Sequence, residues 1–307
     1  MLSSAELHIR AALLRSIRNF FVQQEFLEVD TPIRQSIILP ESNIQPLRSG
    51  SQYLQTSPEL CMKRLLAQGC NRIFQIAHCF RKEEKGQYHL EEFIMLEWYR
   101  TKASYDDLMQ DCLDLLLFLT AEVVGNYPEL SDNRGTVFSN GEDRKELSWE
   151  KISVAEAFSR WSPIDLETAL REDRFDEILV EHIEPNLGIN EVTFLYDYPS
   201  SMASLARKKE TNPEIAERFE MYLQGVEIAN GFSELTDQVE QRSRFQKEIE
   251  TIFQHTGEKM IMPENFLGAL DTLPDCAGIA LGIDRLFMLI LGKNDVGEAA
   301  IFSPEDV

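Results

Sequence analysis

The chain has 307 residues, of which 43% are hydrophobic and 27% are charged, as in an ordinary globular protein. Its formal net charge of −22 repels phosphate backbones, which disfavours broad nucleic-acid binding. The five cysteines form no C-x-x-C pair, and the N-terminus lacks the pattern of a signal peptide. We therefore expect a cytoplasmic protein with reduced thiols, no zinc site and no membrane association.

The first quarter of the chain predicts a helix followed by short strands. Apolar residues recur at helical spacing over residues 5–25, with Ser4 as the candidate N-cap. A short strand then stops at Pro32, and the polar stretch 33–50 predicts a loop or an irregular hairpin. After the TSPEL turn, residues 59–68 predict a second helix.

The middle of the chain predicts an antiparallel pair of strands and then helices. The β-rich segments 71–80 and 92–100 are joined by a charged stretch, which is typical of two antiparallel strands with a long mobile loop. Residues 104–124 and 153–182 predict helices. Between them, the Gly/Asn/Asp-rich linker around 125–148 marks the boundary of an insertion.

The last third predicts strands and two further helices. TFLYDYP is typical of a strand, and we interpret ERFEMYLQGVEIANGFSEL as one long strand. Residues 237–257 predict a charged amphipathic helix, and AGIALGIDRLFMLILG predicts a strand running into a helix. The order is typical of an α+β fold with a mainly antiparallel sheet, and neither a GxGxxG nor a P-loop sequence is present. We expect a single domain over residues 1–307, with a helical insertion at about 125–190.

Two predicted strands carry charged and aromatic side chains on one face. Side chains alternate along a strand, so the 92–100 segment places four residues together: Phe93, Met95, Glu97 and Tyr99. The later strand similarly groups Asn230, Phe232 and Glu234. Such mixtures make a poor core and a good pocket wall. Near the C-terminus, two glycines, Gly278 and Gly282, allow close approach of the backbone beside the cation of Arg285.

Three strings, in order, resemble the motifs of the class II aminoacyl-tRNA synthetase catalytic domain. FFVQQEFLEVDTP is similar to motif 1, CFRKEEKGQYHLEEFIMLEWY to motif 2 and GIALGIDR to motif 3. Within that class, TSPEL, NGFSEL and TFLYDYP resemble the lysyl enzymes. The resemblance covers roughly residues 5 to 303 and implies an antiparallel sheet flanked by helices.

Motif 1 begins almost at once, so we expect no anticodon-binding domain. In this the chain resembles the elongation factor P lysine ligases, to which MKRLLAQGC, LEWYR and DCAGIALGIDRL are also similar. The resemblance implies ATP-dependent activation of (R)-β-lysine or lysine as an adenylate, followed by transfer to a lysine of elongation factor P. It also implies a homodimer, and tRNA is a poor fit. Two alternatives stay open: a lysine-activating paralogue with another acceptor, such as tRNA or a small molecule, and a catalytically inactive regulatory protein.

The resemblance also implies a role for each matching residue. The catalytic residues would be Arg81 and Arg285, and the Mg²⁺ ligands would be Glu220 and Glu227. The ATP-binding residues would be Arg81, Lys82, Glu83, His89, Leu90, Phe93, Glu227, Ile228, Gly282 and Arg285. The residues that bind the amino-acid substrate would be Ser57, Pro58, Glu59, Glu97, Tyr99, Asn230, Phe232, Glu234 and Ala280. Lys82 and Leu90 depart from the Asn that relatives usually show, and Ala280 replaces the glycine of the synthetases.

Overall fold

Helices and strands follow one another irregularly in the computed structural model, which describes residues 1–127, 130, 147–203 and 205–302. The helices are α1 Ser4–Gln23, α2 Glu59–Ala67, α3 Tyr105–Leu119, α4 Val154–Trp161, α5 Leu166–Arg171, α6 Phe175–Ile178, α7 Gln238–Thr256, α8 Glu264–Leu270 and α9 Ile283–Ile290. The strands are β1 Leu27–Glu28, β2 Arg34–Gln35, β3 Arg48–Ser49, β4 Gln52–Leu54, β5 Arg72–Phe80, β6 Glu92–Thr101, β7 Trp149–Ser153, β8 Val192–Pro199, β9 Lys208–Lys209, β10 Asn212–Leu223, β11 Val226–Ser233 and β12 Cys276–Gly282.

One large sheet organises the described residues, with the strand order β1-β5-β6-β12-β11-β10-β8-β7. Its central pairs are antiparallel, and only the outer pairs β1 with β5 and β7 with β8 are parallel. β9 pairs with β10, while β2, β4 and β3 form a small separate sheet. The predicted α+β fold with a mainly antiparallel sheet is therefore confirmed.

The main hydrophobic core lies on one face of this sheet. Buried side chains of α1, α3 and α9 pack there against alternate residues of β6 and β12, such as Leu96, Trp98 and Ile279. Because neighbouring side chains of a strand point to opposite faces, the residues between them face the other side. That side is bordered by α2, α7 and α8, which share a smaller cluster around Tyr99 and Phe245. Among the described residues, no helix is long and apolar enough to span a bilayer.

The segment interpreted as one long strand is a β-hairpin, so that interpretation was wrong. β10 and β11 are joined by Gln224 and Gly225, whose φ angles are 54° and 76°. Two consecutive residues of positive φ form the tight turn whose twist matches that of antiparallel strands. The hairpin places Glu220 and Glu227 on adjacent strands rather than along one strand.

One smaller expectation also differs from the structure. Ser3, not Ser4, caps α1, because its Oγ accepts a hydrogen bond from the backbone of Glu6 at 3.3 Å. The segment 153–182, predicted to be helical, contains three short helices, α4 to α6. Most of the predicted linker around 125–148 lies outside the described residues, so the division into one domain with an insertion stays a prediction.

Candidate active site

A cavity of about 930 Å³ opens on the sheet face opposite the main core. Its size suits small-molecule substrates. Of the predicted site residues, these line it: Ser57, Glu59, Arg81, His89, Leu90, Phe93, Glu97, Tyr99, Glu220, Glu227, Ile228, Asn230, Phe232, Ala280, Gly282 and Arg285. Pro58, Lys82, Glu83 and Glu234 do not line it. Most of the residues singled out by sequence therefore share one space, although they come from distant parts of the chain.

The floor of the cavity is built from strand register. Residues paired directly across antiparallel strands point to the same face. One row of such pairs is Glu97, Ala280, Asn230 and Glu220, and the neighbouring row is Tyr99, Gly278, Phe232 and Arg218. The prediction that alternate residues of β6 face a pocket is confirmed by these rows. The small side chain of Ala280 leaves room between Glu97 and Asn230.

Gly278 makes room for two of the functional side chains. A Cβ at this position would overlap the ring of Tyr99 and the Oε1 atom of Glu234. Both side chains therefore pack directly over bare backbone. The close approach expected at this glycine is confirmed. It allows the side chains of Tyr99 and Glu234 to pack together against the backbone of β12.

Arg285 ties three elements together at one side of the cavity. Its Nε donates to the carbonyl of Tyr88 at 3.0 Å, and Nη1 donates to the carbonyl and the side chain of Glu227 at 2.8 and 3.1 Å. Nη2 lies 2.8 Å from Nε2 of His89, which must accept because arginine only donates. Burial and the charge of Arg285 lower the pKa of His89, in agreement with a neutral ring. This side of the cavity has a fixed cation.

Arg81 directly follows β5, and its side chain lines the cavity. Its guanidinium is 5.2 Å from the ring centre of Phe93, and its buried Nε has no hydrogen-bond partner. Its charge acts on Glu41, where it partly offsets a pKa that burial and Glu59 raise. It also acts on His89, where it adds to the lowering of the pKa by burial and Arg285. A partly unpaired cation in this position can bind an anionic group. We call Arg81 and Arg285 the arginine pair.

Glu220 and Glu227, the predicted Mg²⁺ ligands, line the cavity on adjacent strands. Glu220 accepts hydrogen bonds from the hydroxyls of Tyr198 and Tyr222 at 2.5 and 2.7 Å, and from Arg218 at 2.7 Å. Burial and the charge of Glu227 raise the pKa of Glu220. No set of three or more metal-binding side chains is arranged around an ion position within the described part of the chain. Two carboxylates are present, so other ligands would have to come from a substrate or water.

Lys63 is a functional candidate that the sequence analysis missed. It is 2% exposed and forms ion pairs with both Glu59 and Glu234, the two acids predicted to hold substrate amines. Burial by itself would lower the pKa of Lys63, but Glu234 and Glu59 raise it above its ordinary value. The signal was available, since a lysine four residues after Glu59 lies on the same buried face of a helix. We call Glu59, Lys63, Glu97 and Glu234 the acidic cluster.

The acidic cluster contains more carboxyls than cations. Glu97 accepts hydrogen bonds from Ser57 Oγ at 2.6 Å and from Tyr99 OH at 2.8 Å, and burial raises its pKa to about 8. Burial also raises the pKa of Glu234. The charges of Glu59 and Glu97 raise it further, because the single ammonium of Lys63 does not neutralise all of these acids. Glu234 Oε1 is buried and has no hydrogen-bond partner among the described residues. The arrangement can receive a further cationic group.

Sequence reasoning also missed Asp284, which precedes Arg285 and fixes the helix that carries it. Asp284 accepts hydrogen bonds from Arg10 and from the backbone of Ile94, each at 2.6 Å, and so fixes the start of α9 against β6. By contrast, Lys82 and Glu83 are exposed and pair with each other at 2.9 Å. Their predicted contact with a nucleotide stays a prediction.

Comparison with known proteins is decisive for the family. Residues 2–306 match the family model described as tRNA synthetases class II (D, K and N). The chain belongs to the class II tRNA synthetases. Three relatives of this class II synthetase carry the name elongation factor P–(R)-β-lysine ligase. The protein from Salmonella gallinarum is 37% identical over 96% of this chain and 93% of its own length. That from Proteus mirabilis is 38% identical over 98% and 95%, and that from Klebsiella pneumoniae 36% identical over 96% and 93%.

Proposed function

We propose that this protein is an ATP-dependent, AMP-forming ligase that activates (R)-β-lysine or lysine and transfers it to a lysine side chain of elongation factor P. The names of the relatives support the reaction, and the family supports ATP as the activating substrate. We further propose that it works as a cytoplasmic homodimer. The geometry of the cavity supports the class of amino acid independently of any name.

The observation that carries the proposal is the pairing of two charge environments in one cavity. The arginine pair supplies cations where phosphates and a carboxylate would lie, and the acidic cluster supplies buried acceptors for ammonium groups. A buried carboxylate oxygen without a partner, such as Oε1 of Glu234, is costly unless a ligand binds to it. An amino acid with two amino groups satisfies both environments, whereas a neutral side chain would leave the acids unpaired.

In the first step, the substrate carboxylate attacks the α-phosphorus of ATP, an aminoacyl-adenylate forms and pyrophosphate leaves. Two anions must approach each other, so cations at the reacting groups lower the barrier. Arg81 lies between the two charge environments and would bind the α-phosphate and the carboxylate. Arg285 would hold the distal phosphate, and Phe93 would stack on the adenine. Glu59 and Glu234 would each hold one amino group of the substrate.

The two carboxylates Glu220 and Glu227 fit Mg²⁺ as partial ligands. Mg²⁺ is usually bound by one or two carboxylates together with substrate phosphates. Burial raises the pKa of Glu220 most, and the charge of Glu227 raises it further; a cation would relieve this repulsion between the two acids. When bound there, Mg²⁺ would neutralise charge on the phosphates.

In the second step, a neutral lysine amine of the acceptor attacks the adenylate carbonyl, an amide forms and AMP leaves. The acceptor ammonium must first lose a proton. Glu41 lines the cavity, and burial together with Glu59 raises its pKa to about 7, so it suits proton uptake near neutral pH.

The test is ATP–pyrophosphate exchange by purified protein across a panel of amino acids. We expect exchange with (R)-β-lysine or lysine, and none with norleucine or glutamine, which have similar length and no distal charge. Transfer of the labelled amino acid to elongation factor P and to tRNA is then compared. Labelling of tRNA alone would support the alternative acceptor, and absence of exchange with every diamine would overturn the enzyme proposal. Sedimentation velocity tests the homodimer.

A further inference from the structure

Gln241, on the second turn of α7, is a buried cavity-lining residue with unmet hydrogen-bonding capacity. It is 1% exposed and borders the cavity. Neither Nε2 nor Oε1 of its amide has a hydrogen-bond partner among the residues that the structure describes. Such an amide has lost its bonds to water without replacing them, which is uncommon in folded proteins. A side chain in this state, at the wall of an active site, points to a ligand.

The contacts of α7 show which part of the fold the face carrying Gln241 covers. Residues three and four positions later share its face of the helix. Of these, Arg244 donates from Nη1 to the carbonyl of Ala206 at 2.8 Å, and Ala206 forms a β-bridge with Glu234. Phe245 is buried in the hydrophobic cluster that also contains Tyr99. This face of α7 therefore covers the segment that is paired with Glu234.

We propose that Gln241 is a substrate-binding residue whose amide oxygen accepts a hydrogen bond from the distal ammonium group of a diamino acid. The inference rests on the proposed function, because it assumes that such a substrate occupies the cavity. An ammonium group has three protons to donate. A carboxylate of the acidic cluster accepts one of them and Oε1 of Gln241 accepts a second. The neutral amide adds an acceptor without adding a further negative charge to a cluster that already has an excess of carboxyls.

The test substitutes methionine, which keeps the length of the side chain and removes both polar atoms. In ATP–pyrophosphate exchange, we expect Gln241→Met to raise the KM for lysine or (R)-β-lysine about 10- to 100-fold, because a hydrogen bond to a charged group is lost. The KM for ATP should not change. Gln246→Met is the matched control, since Gln246 lies on the exposed face of the same helix, where its Nε2 donates to Glu250.

A stability measurement separates substrate binding from a purely structural role. Removing unpaired polar atoms from a buried position should leave the thermal unfolding midpoint of the ligand-free protein unchanged or higher. The rise in that midpoint on addition of the amino acid should shrink in Gln241→Met and persist in Gln246→Met. An unchanged KM for the amino acid in an active Gln241→Met enzyme overturns the inference.

A second variant keeps the inference testable if Gln241→Met does not fold. Gln241→Glu retains an acceptor oxygen at the same place. Its extra carboxyl is unfavourable in the ligand-free protein, but the substrate ammonium relieves that repulsion on binding, so we expect a KM for the amino acid equal to or below that of the wild type. A tenfold increase would contradict the proposed contact. If the wild-type protein exchanges pyrophosphate with no diamine, the proposed function and this inference both fail. If the wild type is active and substitution of Gln241 leaves the KM for the amino acid unchanged, only this inference fails.

Discussion

Replacing Lys63 with methionine tests whether one buried ammonium holds the acidic cluster together. The Lys63 side chain is 2% exposed, and its partners Glu59 and Glu234 are 11% and 0% exposed. Removing one member of such a buried pair typically costs about 3–5 kcal/mol, because the remaining charges lose their partner. Glu234, whose pKa is already raised by burial, can avoid part of that cost by binding a proton. The loss of stability should therefore depend on pH.

The sign of this dependence follows from proton binding. Without Lys63, whose ammonium lowers it, the pKa of Glu234 in the folded protein rises further above its value in the unfolded chain. A carboxyl with a raised folded pKa destabilises the fold increasingly as pH rises above the unfolded value of about 4.3. The wild-type pKa of Glu234 is already about 8, so this carboxyl is protonated in both folded proteins below that pH, and the difference between variant and wild type should grow only above it, by up to about 1.4 kcal/mol per pH unit.

Urea unfolding of wild type and Lys63→Met at pH 6, 7, 8 and 9 measures this difference. Arg64→Met is the matched control, because Arg64 is the exposed neighbour of Lys63 on α2, and its loss leaves the acidic cluster untouched. We expect the control to stay within about 0.5 kcal/mol of wild type at every pH. A destabilisation of Lys63→Met that is equal at pH 7 and pH 9 would refute the reasoning, because it would mean that the loss of Lys63 does not change the protonation of Glu234.

Three further predictions concern the reaction and the floor of the cavity. Arg81→Ala and Glu234→Ala should each abolish ATP–pyrophosphate exchange while circular dichroism still reports a folded protein; substantial residual exchange would argue against the assigned charges. Ala280→Gly should move the ratio of kcat/KM values toward α-lysine, by up to about 200-fold for one methyl group, and an unchanged ratio would exclude Ala280 from selectivity. Gly278→Ala should displace Tyr99 and Glu234, lower the free energy of unfolding in urea by about 1–3 kcal/mol and raise the KM for the amino acid. Normal stability and a normal KM in this variant would show that the two side chains can move aside to accept the methyl group.

Much of the fold was predictable because it depends on local patterns. Apolar spacing predicted α1, α2 and α7, and alternation along β6 predicted that Phe93, Met95, Glu97 and Tyr99 share one wall. The hairpin of β10 and β11 was missed because its turn, Gln224 and Gly225, contains little to interrupt the β-rich pattern on either side. Positive φ at both residues is a property of the folded backbone that the composition only weakly indicates.

The sequence by itself determined which chemical groups this protein has and which side chains on a strand share a face. Only the tertiary structure decided which of these groups meet. The strand order brings Gly278 beneath Tyr99 and Glu234, and packing of α2 against the sheet places Lys63 between two acids that sequence reasoning assigned to a substrate. The unpaired amide of Gln241 is likewise visible only after α7 has packed. The physical reason is that side-chain direction is fixed by local geometry, whereas pairing and burial depend on the whole chain.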